Sequence, residues 1–178
     1  MKLSDYVWQF LSQYVKHVFM VPGGGSMHLV DSLGQSDIEY VSCLHEQAAG
    51  MAAIAYSQFN GLGVCLVTTG PGGTNAVTPC ASAWVNSAPV LFISGQVNTY
   101  QMKSEEQRFN GMQELDIISI VNPITKYAET IDYSCTPIGY YISDKLRIAL
   151  KDAVYLAQES RQGPVWLDIP LDIQSTEV

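Results

Sequence analysis

Short apolar segments alternate with helix-forming segments along most of this chain, and this alternation limits the possible folds more than any other feature. The apolar segments have the length of buried strands and lie at residues 18–21, 39–43, 63–68, 90–94, 127–129 and 165–169. Helical spacing is found between them, at residues 27–34, 46–59, 74–86, 117–121 and 142–157. Such alternation is typical of right-handed crossovers and a parallel sheet. The sequence therefore predicts a three-layer αβα domain with a mostly parallel central sheet.

Three further segments lie outside this alternation. Ser4 is a candidate N-cap of an opening amphipathic helix, because apolar residues follow it at helical spacing. Residues 97–112 are polar and without period, which predicts a long, mobile loop that faces substrate. We expect one domain over residues 1–170 and the start of a linker over residues 171–178.

Composition favours a globular domain. The chain has 178 residues, enough for a substantial core, and 47% of them are hydrophobic. Seventeen acidic residues against nine basic ones give a formal net charge of −8. This charge argues against a nucleic acid or an anionic membrane as the main partner. Since the sequence has no cleavable leader and no apolar segment of membrane-spanning length, we expect no membrane partner and a cytoplasmic protein.

The four cysteines, Cys43, Cys65, Cys80 and Cys135, lack the close spacing of a metal site. Cys43 and Cys65 fall in segments predicted to be buried strands. We therefore expect the cysteines to act as small core residues.

An acidic residue and two glycine-rich turns follow three of the predicted strands. Glu46 lies where the second strand gives way to an alanine-rich helix, the turn at residues 22–25 follows the first strand, and the turn at residues 68–75 follows the third. Carboxyl ends of parallel strands form the ligand crevice of an open α/β sheet. The sequence thus predicts that Glu46 and both turns share one site.

The glycine turns do not match common nucleotide-binding motifs. Neither turn is followed by Gly-Lys-Ser or Gly-Lys-Thr, so neither is a P-loop. The turn that begins at Gly70 lacks the third glycine of a dinucleotide-binding fingerprint. Each glycine instead permits close approach of the main chain to a flat ring or a phosphate.

Seven stretches taken together resemble a known family. They lie at residues 18–24, 45–47, 67–75, 89–96, 113–114, 123–126 and 163–170. In order and spacing they resemble the N-terminal, pyrimidine-binding domain of thiamine diphosphate enzymes of the acetolactate synthase type. The resemblance implies a carboligase or decarboxylase that acts on a 2-keto acid such as pyruvate.

The resemblance also implies roles for individual residues. Glu46 matches the glutamate that hydrogen-bonds N1′ of the aminopyrimidine and favours the imino tautomer, whose exocyclic nitrogen takes the C2 proton. Gln113 matches a glutamine that approaches the reaction centre, which makes it the second candidate catalytic residue. The alternative is that Gln113 is a solvated loop residue. The residues implied to shape the pyrimidine pocket or the adjoining subunit contact are Pro22, Gly23, Gly24, Thr69, Gly70, Pro71, Gly72 and Asn75. Asn75 has a helix cap as its alternative.

Two influences on the pKa of Glu46 oppose each other in this sequence. A helix N-terminus favours the carboxylate, whereas burial among Leu44, Ala48 and Ala49 disfavours its charge. We expect burial to dominate once the site closes. His45, the preceding residue, is expected to be an ordinary hydrogen-bonded histidine.

Part of the expected active site has no counterpart in the sequence. The family holds the diphosphate and Mg²⁺ through a Gly-Asp-Gly segment followed by Asn-Asn, and residues 1–178 contain neither. The resemblance therefore places Mg²⁺ in another domain of the same or a partner subunit, and it leaves FAD open for the full enzyme. We expect a homo-oligomer and, for the isolated chain, weak cofactor binding and no turnover.

Other interpretations remain open. The segment at residues 97–112 is longer than in ordinary acetolactate synthases, and Met112 replaces a phenylalanine. Both features are more similar to relatives that transfer a two-carbon unit to a keto-sugar in polysaccharide biosynthesis. The chain could also be the small subunit of a two-chain 2-keto acid decarboxylase. A non-catalytic dimerisation module is the alternative from another class.

Overall fold

A computed structural model describes residues 1–104, 106–133 and 141–177. The described residues form one six-stranded sheet in which every paired neighbour is parallel. The strands are β1 (His17–Met20), β2 (Glu39–Ser42), β3 (Gly63–Val67), β4 (Val90–Gln96), β5 (Tyr127–Thr130) and β6 (Val165–Pro170), in the order β2-β1-β3-β4-β6-β5. The predicted parallel sheet is confirmed.

Helices cover both faces of the sheet. They are α1 (Leu3–Leu11), α2 (Met27–Gly34), α3 (Glu46–Asn60), α4 (Pro71–Asn86), α5 (Ile117–Val121), α6 (Ile142–Gln158) and α7 (Leu171–Ser175), with 3-10 turns at Gly24–Ser26, Thr99–Gln101 and Asn122–Ile124. Helix α4 begins three residues earlier than the sequence predicts, because Pro71 is suited to the first helical position.

Two apolar clusters give the fold its three layers. One cluster joins α1, α2, α6 and α7 to one sheet face, and the other joins α3, α4 and α5 to the opposite face. Alternate residues of β3 supply both clusters: Val64 and Leu66 belong to the first, Cys65 and Val67 to the second. This period of two is the expected geometry of a strand buried on both sides. The predicted three-layer architecture is confirmed.

The strand order creates a topological switch point between β1 and β3. The chain runs from β1 outward to β2 and then returns to the other side of β1 to form β3. Connections therefore leave the adjacent ends of β1 and β3 in opposite directions, and such a switch point is where open α/β sheets bind ligands. Both predicted glycine turns follow these two strands.

Some expectations about single segments were wrong. Ser4 is not an N-cap: α1 begins at Leu3 with Lys2 as its cap, and the buried Ser4 hydroxyl lies 2.8 Å from that of Ser32. Strand β2 is an exposed edge strand, and Cys43 lies beyond its end and is only half-buried. Cys65 and Cys80 are buried as expected, whereas Cys135 lies outside the described residues.

The expected linker does not begin at residue 171. Residues 171–175 form α7, in which Ile173 and Gln174 are fully buried. The Leu3 amide also donates to the carbonyl of Thr176 at 2.8 Å. This tail therefore packs on the domain, and a five-residue helix is too short for hydrophobic periodicity to reveal it.

Across the ranges that the structure describes, no helix has both the length and the apolar character needed to cross a membrane.

Candidate functional site

Glu46 and Asn75 meet at the carboxyl edge of the sheet. Glu46 is the first residue of α3, and its Oε2 accepts a hydrogen bond of 3.0 Å from Nδ2 of Asn75. Asn75 lies inside α4, whose N-cap is Gly70, so Asn75 is not a helix cap. Two residues 29 positions apart in sequence are thus joined through their side chains.

The immediate neighbours of Glu46 do not bury it as expected. Leu44 and Ala48 are exposed, and only Ala49 of the three expected neighbours is buried. Glu46 itself is half-buried. His45 is the N-cap of α3 and accepts a hydrogen bond of 3.1 Å from the Gln47 amide through Nδ1. His45 is thus hydrogen-bonded, as expected, while further burial of Glu46 requires a surface from outside the described residues.

The first glycine turn packs its main chain against the second. A Cβ added to Gly23 would lie 2.5 Å from Cβ of Thr68, and one added to Gly25 would lie 2.9 Å from Cβ of Thr69. The Gly25 amide also donates to Thr68 Oγ1 at 3.1 Å. These two positions therefore exclude a side chain because the turns touch each other.

The exposed part of the first turn is different in character. A Cβ on Gly24 would meet no atom within 4 Å among the described residues, and Pro22 and Gly24 are both exposed. The backbone of this turn is therefore held on its inner side and accessible on its outer side.

The second turn brings the remaining predicted residues together. Gly70 has φ +57°, and a Cβ there would lie 2.2 Å from the carbonyl oxygen of Gln113. A Cβ on Gly72 would lie 2.8 Å from Cγ2 of Thr68 and 3.6 Å from Oε1 of Glu46. Glycine is thus required at both positions, by the left-handed conformation at Gly70 and by close packing at Gly72.

Gln113 reaches the same site from the loop after β4. Its φ is +62°, its side chain is exposed, and its carbonyl oxygen lies 3.5 Å from Thr69 Oγ1. The next residue, Glu114, is buried and accepts hydrogen bonds from the amides of Lys103 and Asn110, at 3.2 and 2.8 Å. Glu114 therefore anchors the loop while the Gln113 side chain remains available.

A buried polar network, which the sequence did not identify as part of the site, supports Thr69. The Thr69 hydroxyl donates to Oε1 of Gln96 at 2.8 Å, and Gln96 Nε2 donates to Oδ2 of Asp168 at 3.0 Å and to the Leu115 carbonyl at 2.8 Å. The available signal was the presence of two polar residues near the ends of otherwise apolar strands.

Asp168 is almost fully buried, and its surroundings alter its acidity. Burial raises its pKa to about 7, although hydrogen bonds from Ser94, Gln96 and Thr130 act in the opposite direction. The Ser94 hydroxyl donates at 2.6 Å and itself accepts from the indole of Trp166 at 2.8 Å. Every strong contact of this carboxyl group is therefore made inside the domain.

Cavities do not single out this site. One cavity, with a volume of about 480 Å³, lies beside α1 and α2, away from Glu46, with Asp5, Trp8 and Gln35 in its wall. A second cavity, of about 230 Å³, lies beside Gln96, Glu114 and Asp168. The glycine turns and Glu46 instead form an open surface among the described residues.

Large apolar side chains are exposed on the elements that carry Glu46. They are Tyr40 and Val41 of β2, Leu44, and Met51 and Phe59 of α3. An exposed apolar surface of this kind is typical of a protein interface. In the part of the chain that the structure describes, no group of three or more His, Cys, Asp or Glu residues is placed to hold a metal ion.

Comparison with known proteins agrees with this geometry. The family described as "Thiamine pyrophosphate enzyme, N-terminal TPP binding domain" matches residues 1–120. The acetolactate synthase large subunit of Buchnera aphidicola (subsp. Acyrthosiphon pisum) is 37% identical over 94% of this chain and 27% of that protein. The Corynebacterium glutamicum large subunit is 38% identical over 90% of the chain and 24% of that protein.

The acetolactate synthase isozyme 2 large subunit of Escherichia coli (strain K12) is 36% identical over 92% of this chain and 27% of that protein. The chain therefore spans about a quarter of the length of these relatives.

Proposed function

The chain belongs to the thiamine pyrophosphate enzymes, whose N-terminal TPP binding domain it contains, and we propose that it activates thiamine diphosphate in an acetolactate synthase-like enzyme. The proposed donor substrate is a 2-keto acid such as pyruvate, and the enzyme is a carboligase or decarboxylase. The observation that carries this proposal is the convergence of Glu46, Asn75 and both glycine turns on the β1/β3 switch point.

The residues present fit an aminopyrimidine ring. Gly72 lies next to Glu46, where a side chain would come within 3.6 Å of its Oε1, and Gly24 leaves the first turn open on its outer side. A flat ring needs such close approach to main chain and a carboxyl group at one edge. The pocket residues of the proposal are Pro22, Gly23, Gly24, Thr69, Gly70, Pro71, Gly72 and Asn75.

Thiamine diphosphate, when bound, supplies a thiazolium carbon acid that can add to the carbonyl group of a 2-keto acid. Glu46 would hold a proton at N1′ of the pyrimidine, through the oxygen that Asn75 leaves free. Asn75 donates to the other oxygen of Glu46 at 3.0 Å and thereby fixes the plane of the carboxyl group. Asn75 thus acts by orienting Glu46.

Gln113 is the second catalytic residue of the proposal. Its carbonyl oxygen lies against Gly70 and Thr69, while its side chain is exposed at the same edge of the sheet. An amide at this place can hydrogen-bond the carbonyl or carboxylate oxygens of a keto acid. Residues 97–112 lead directly to Gln113, so this loop is the proposed determinant of acceptor choice.

The other half of the site lies outside this chain. The described residues supply no metal-binding group of acids, and the relatives are about four times as long as their matched part. We therefore place the diphosphate and Mg²⁺ in a second domain of the same or a partner subunit. The exposed apolar side chains of β2 and α3 are the proposed contact with it, and its docking would bury Glu46 further.

The test is an assay of the full-length enzyme with thiamine diphosphate, Mg²⁺ and pyruvate, against a panel of 2-keto acid and keto-sugar acceptors. We expect carbon dioxide release and carboligation that require the cofactor and stop when a chelator removes Mg²⁺. Product formation with a keto-sugar alone would assign the enzyme to two-carbon transfer in polysaccharide synthesis. A protein inert towards every 2-keto acid would contradict the proposal.

A further inference from the structure

Gln174 is a fully buried amide that contacts the first glycine turn. Its Nε2 donates to the carbonyl oxygens of Gly25, at 2.8 Å, and Ile169, at 2.7 Å. Its Oε1 accepts a longer bond of 3.4 Å from the Leu29 amide. One side chain of α7 therefore joins the Gly25 turn, the start of α2 and the end of β6.

The contact to Gly25 is placed where the turn has little freedom. A Cβ on Gly95 of β4 would lie 2.0 Å from the Gly25 carbonyl oxygen and 2.7 Å from the Ser26 nitrogen, so the turn lies directly on this strand. On its other side, the Gly25 amide donates to Thr68. The Gln174 amide thus completes a set of contacts that fixes the turn from within the domain.

The same helix contacts the loop that leads to Gln113. Oδ1 of Asp172 accepts from the Thr99 amide at 3.0 Å, and Oδ2 accepts from the Thr99 hydroxyl at 2.5 Å. Thr99 begins the 3-10 turn at Thr99–Gln101, soon after the end of β4. Helix α7 therefore holds a cofactor turn through Gln174 and the first part of the substrate loop through Asp172.

We propose that Gln174 and Asp172 are positioning residues, through which α7 holds both the Gly23–Gly25 turn and the start of the loop before Gln113. This inference rests on the proposed function, since it assigns the two contacts to the cofactor side and the substrate side of one site. Gln174 fixes the cofactor turn, and Asp172 fixes the start of the loop.

The first test replaces Gln174 by Glu in the full-length enzyme. A carboxylate keeps the shape but substitutes an acceptor for the two N–H donors, and it faces two carbonyl oxygens. We expect the KM for thiamine diphosphate to rise about tenfold, as for loss of a positioned hydrogen bond, while kcat at saturating cofactor stays within about threefold. Amide exchange of residues 23–26 should accelerate relative to that of β3.

The control for the chemical change from Gln to Glu is Gln158→Glu, at an exposed position. Gln158 donates from Nε2 to the Val154 carbonyl of its own helix, α6, away from both loops. It should leave the cofactor KM and the exchange of residues 23–26 unchanged. A Gln174→Glu enzyme that loses thermal stability but keeps the wild-type KM and exchange would overturn the positioning role.

The second variant, Asp172→Ala, removes both hydrogen-bond acceptors of Thr99 and tests the loop side of the proposal even if Gln174→Glu fails to fold, because Asp172 is only half-buried. We expect faster exchange at residues 99–104 and a raised acceptor KM, with the cofactor KM unchanged. Unchanged exchange and unchanged acceptor KM would overturn the positioning role of Asp172. A wild-type enzyme without any response to thiamine diphosphate would instead refute the proposed function, and the exchange measurements would still test the role of α7.

Discussion

Two carboxyl groups lie at the same edge of the sheet, yet their surroundings differ. Asp168 is 1% exposed and receives hydrogen bonds from Ser94, Gln96 and Thr130. Glu46 is half-buried, and the described residues give its side chain one hydrogen bond, from Asn75. Both carboxyl oxygens of Asp168 therefore accept hydrogen bonds within the domain, whereas only Oε2 of Glu46 accepts one from the described residues.

This difference agrees with a supporting role for Asp168 and with the reacting role that we propose for Glu46. A buried carboxyl group with all its partners inside the domain fixes the strands and turns around it. A carboxyl group with one partner, held at a helix N-terminus beside glycine turns, is available to a ligand. The contrast predicts that changing Glu46 affects chemistry more than folding, and that changing Asp168 affects stability and its pH dependence.

The largest effect is expected for Glu46→Gln. An amide cannot share the proton that the proposed role requires, so kcat of the full-length enzyme should fall by about 10²- to 10⁴-fold. The melting temperature should change little, because Glu46 is half-buried and has few contacts. Glu39→Gln, on exposed β2, is the control and should retain activity. A stable Glu46→Gln enzyme with near-normal kcat would remove the distinction between the two acids.

Asp168→Asn tests the other side of the comparison. Burial raises the pKa of Asp168 to about 7, from about 3.9 in an unfolded chain. Between these two pKa values, Asp168 is protonated in the folded chain but ionised in the unfolded chain. The free energy of unfolding must therefore fall as the pH rises through this range.

The size of this loss is on the order of 2 to 3 kcal/mol between pH 5 and pH 7.5. Urea denaturation measures the free energy of unfolding at both pH values. In Asp168→Asn, the decrease in this free energy from pH 5 to pH 7.5 should be smaller than in wild type by about that amount. Asp37→Asn, at an exposed position, should keep the wild-type difference. Equal pH dependence in all three proteins would mean that Asp168 is not the titrating group.

A smaller effect is expected for Asn75→Ala. This change removes the hydrogen bond that orients Glu46, but it leaves the carboxyl group in place. Since one such bond contributes about 0.5 to 1.5 kcal/mol, kcat should fall roughly 3- to 10-fold. Steady-state kinetics at saturating cofactor measures this directly. A loss as large as that of Glu46→Gln would show that Asn75 itself takes part in the reaction.

The smallest effect concerns the loop after β4. Exposed amides of residues 99–112 should exchange faster than those of β3, whereas the amides of Lys103 and Asn110 should be slower than their neighbours because Glu114 accepts from both. Shortening the loop should change acceptor choice more than stability. Uniform protection equal to that of β3 would contradict the predicted mobility.

The sequence was sufficient for the sheet and for the proposed core of the site. Short apolar strands that alternate with helices most often form a parallel sheet, and the carboxyl ends of its strands lie at one edge. For this reason Glu46, Gly72 and Asn75 could be expected to meet, and they do. These inferences depended on local pattern and on topology, both of which are readable from one chain.

Long-range polar contacts were not predictable in the same way. The contact of Gln174 with Gly25 spans 149 positions, and that of Gln96 with Asp168 spans 72. Hydrophobic periodicity does not indicate which buried amide group will hydrogen-bond to which carbonyl group. The exposure of Leu44 and Ala48 was not predicted for a related reason. Apolar residues beside a site have the same sequence pattern as core residues, and only the fold shows that the described residues leave these two exposed.

The most direct test of the account is exchange of the C2 proton of thiamine diphosphate for deuterium, followed by NMR in the full-length enzyme. Glu46 is proposed to drive this step, so the Glu46→Gln enzyme should bind the cofactor yet exchange the proton at least about 10²-fold more slowly than wild type. The Glu39→Gln enzyme should exchange the proton at a rate close to wild type. Wild-type exchange in the Glu46→Gln enzyme would contradict the claim that this chain activates the cofactor through Glu46.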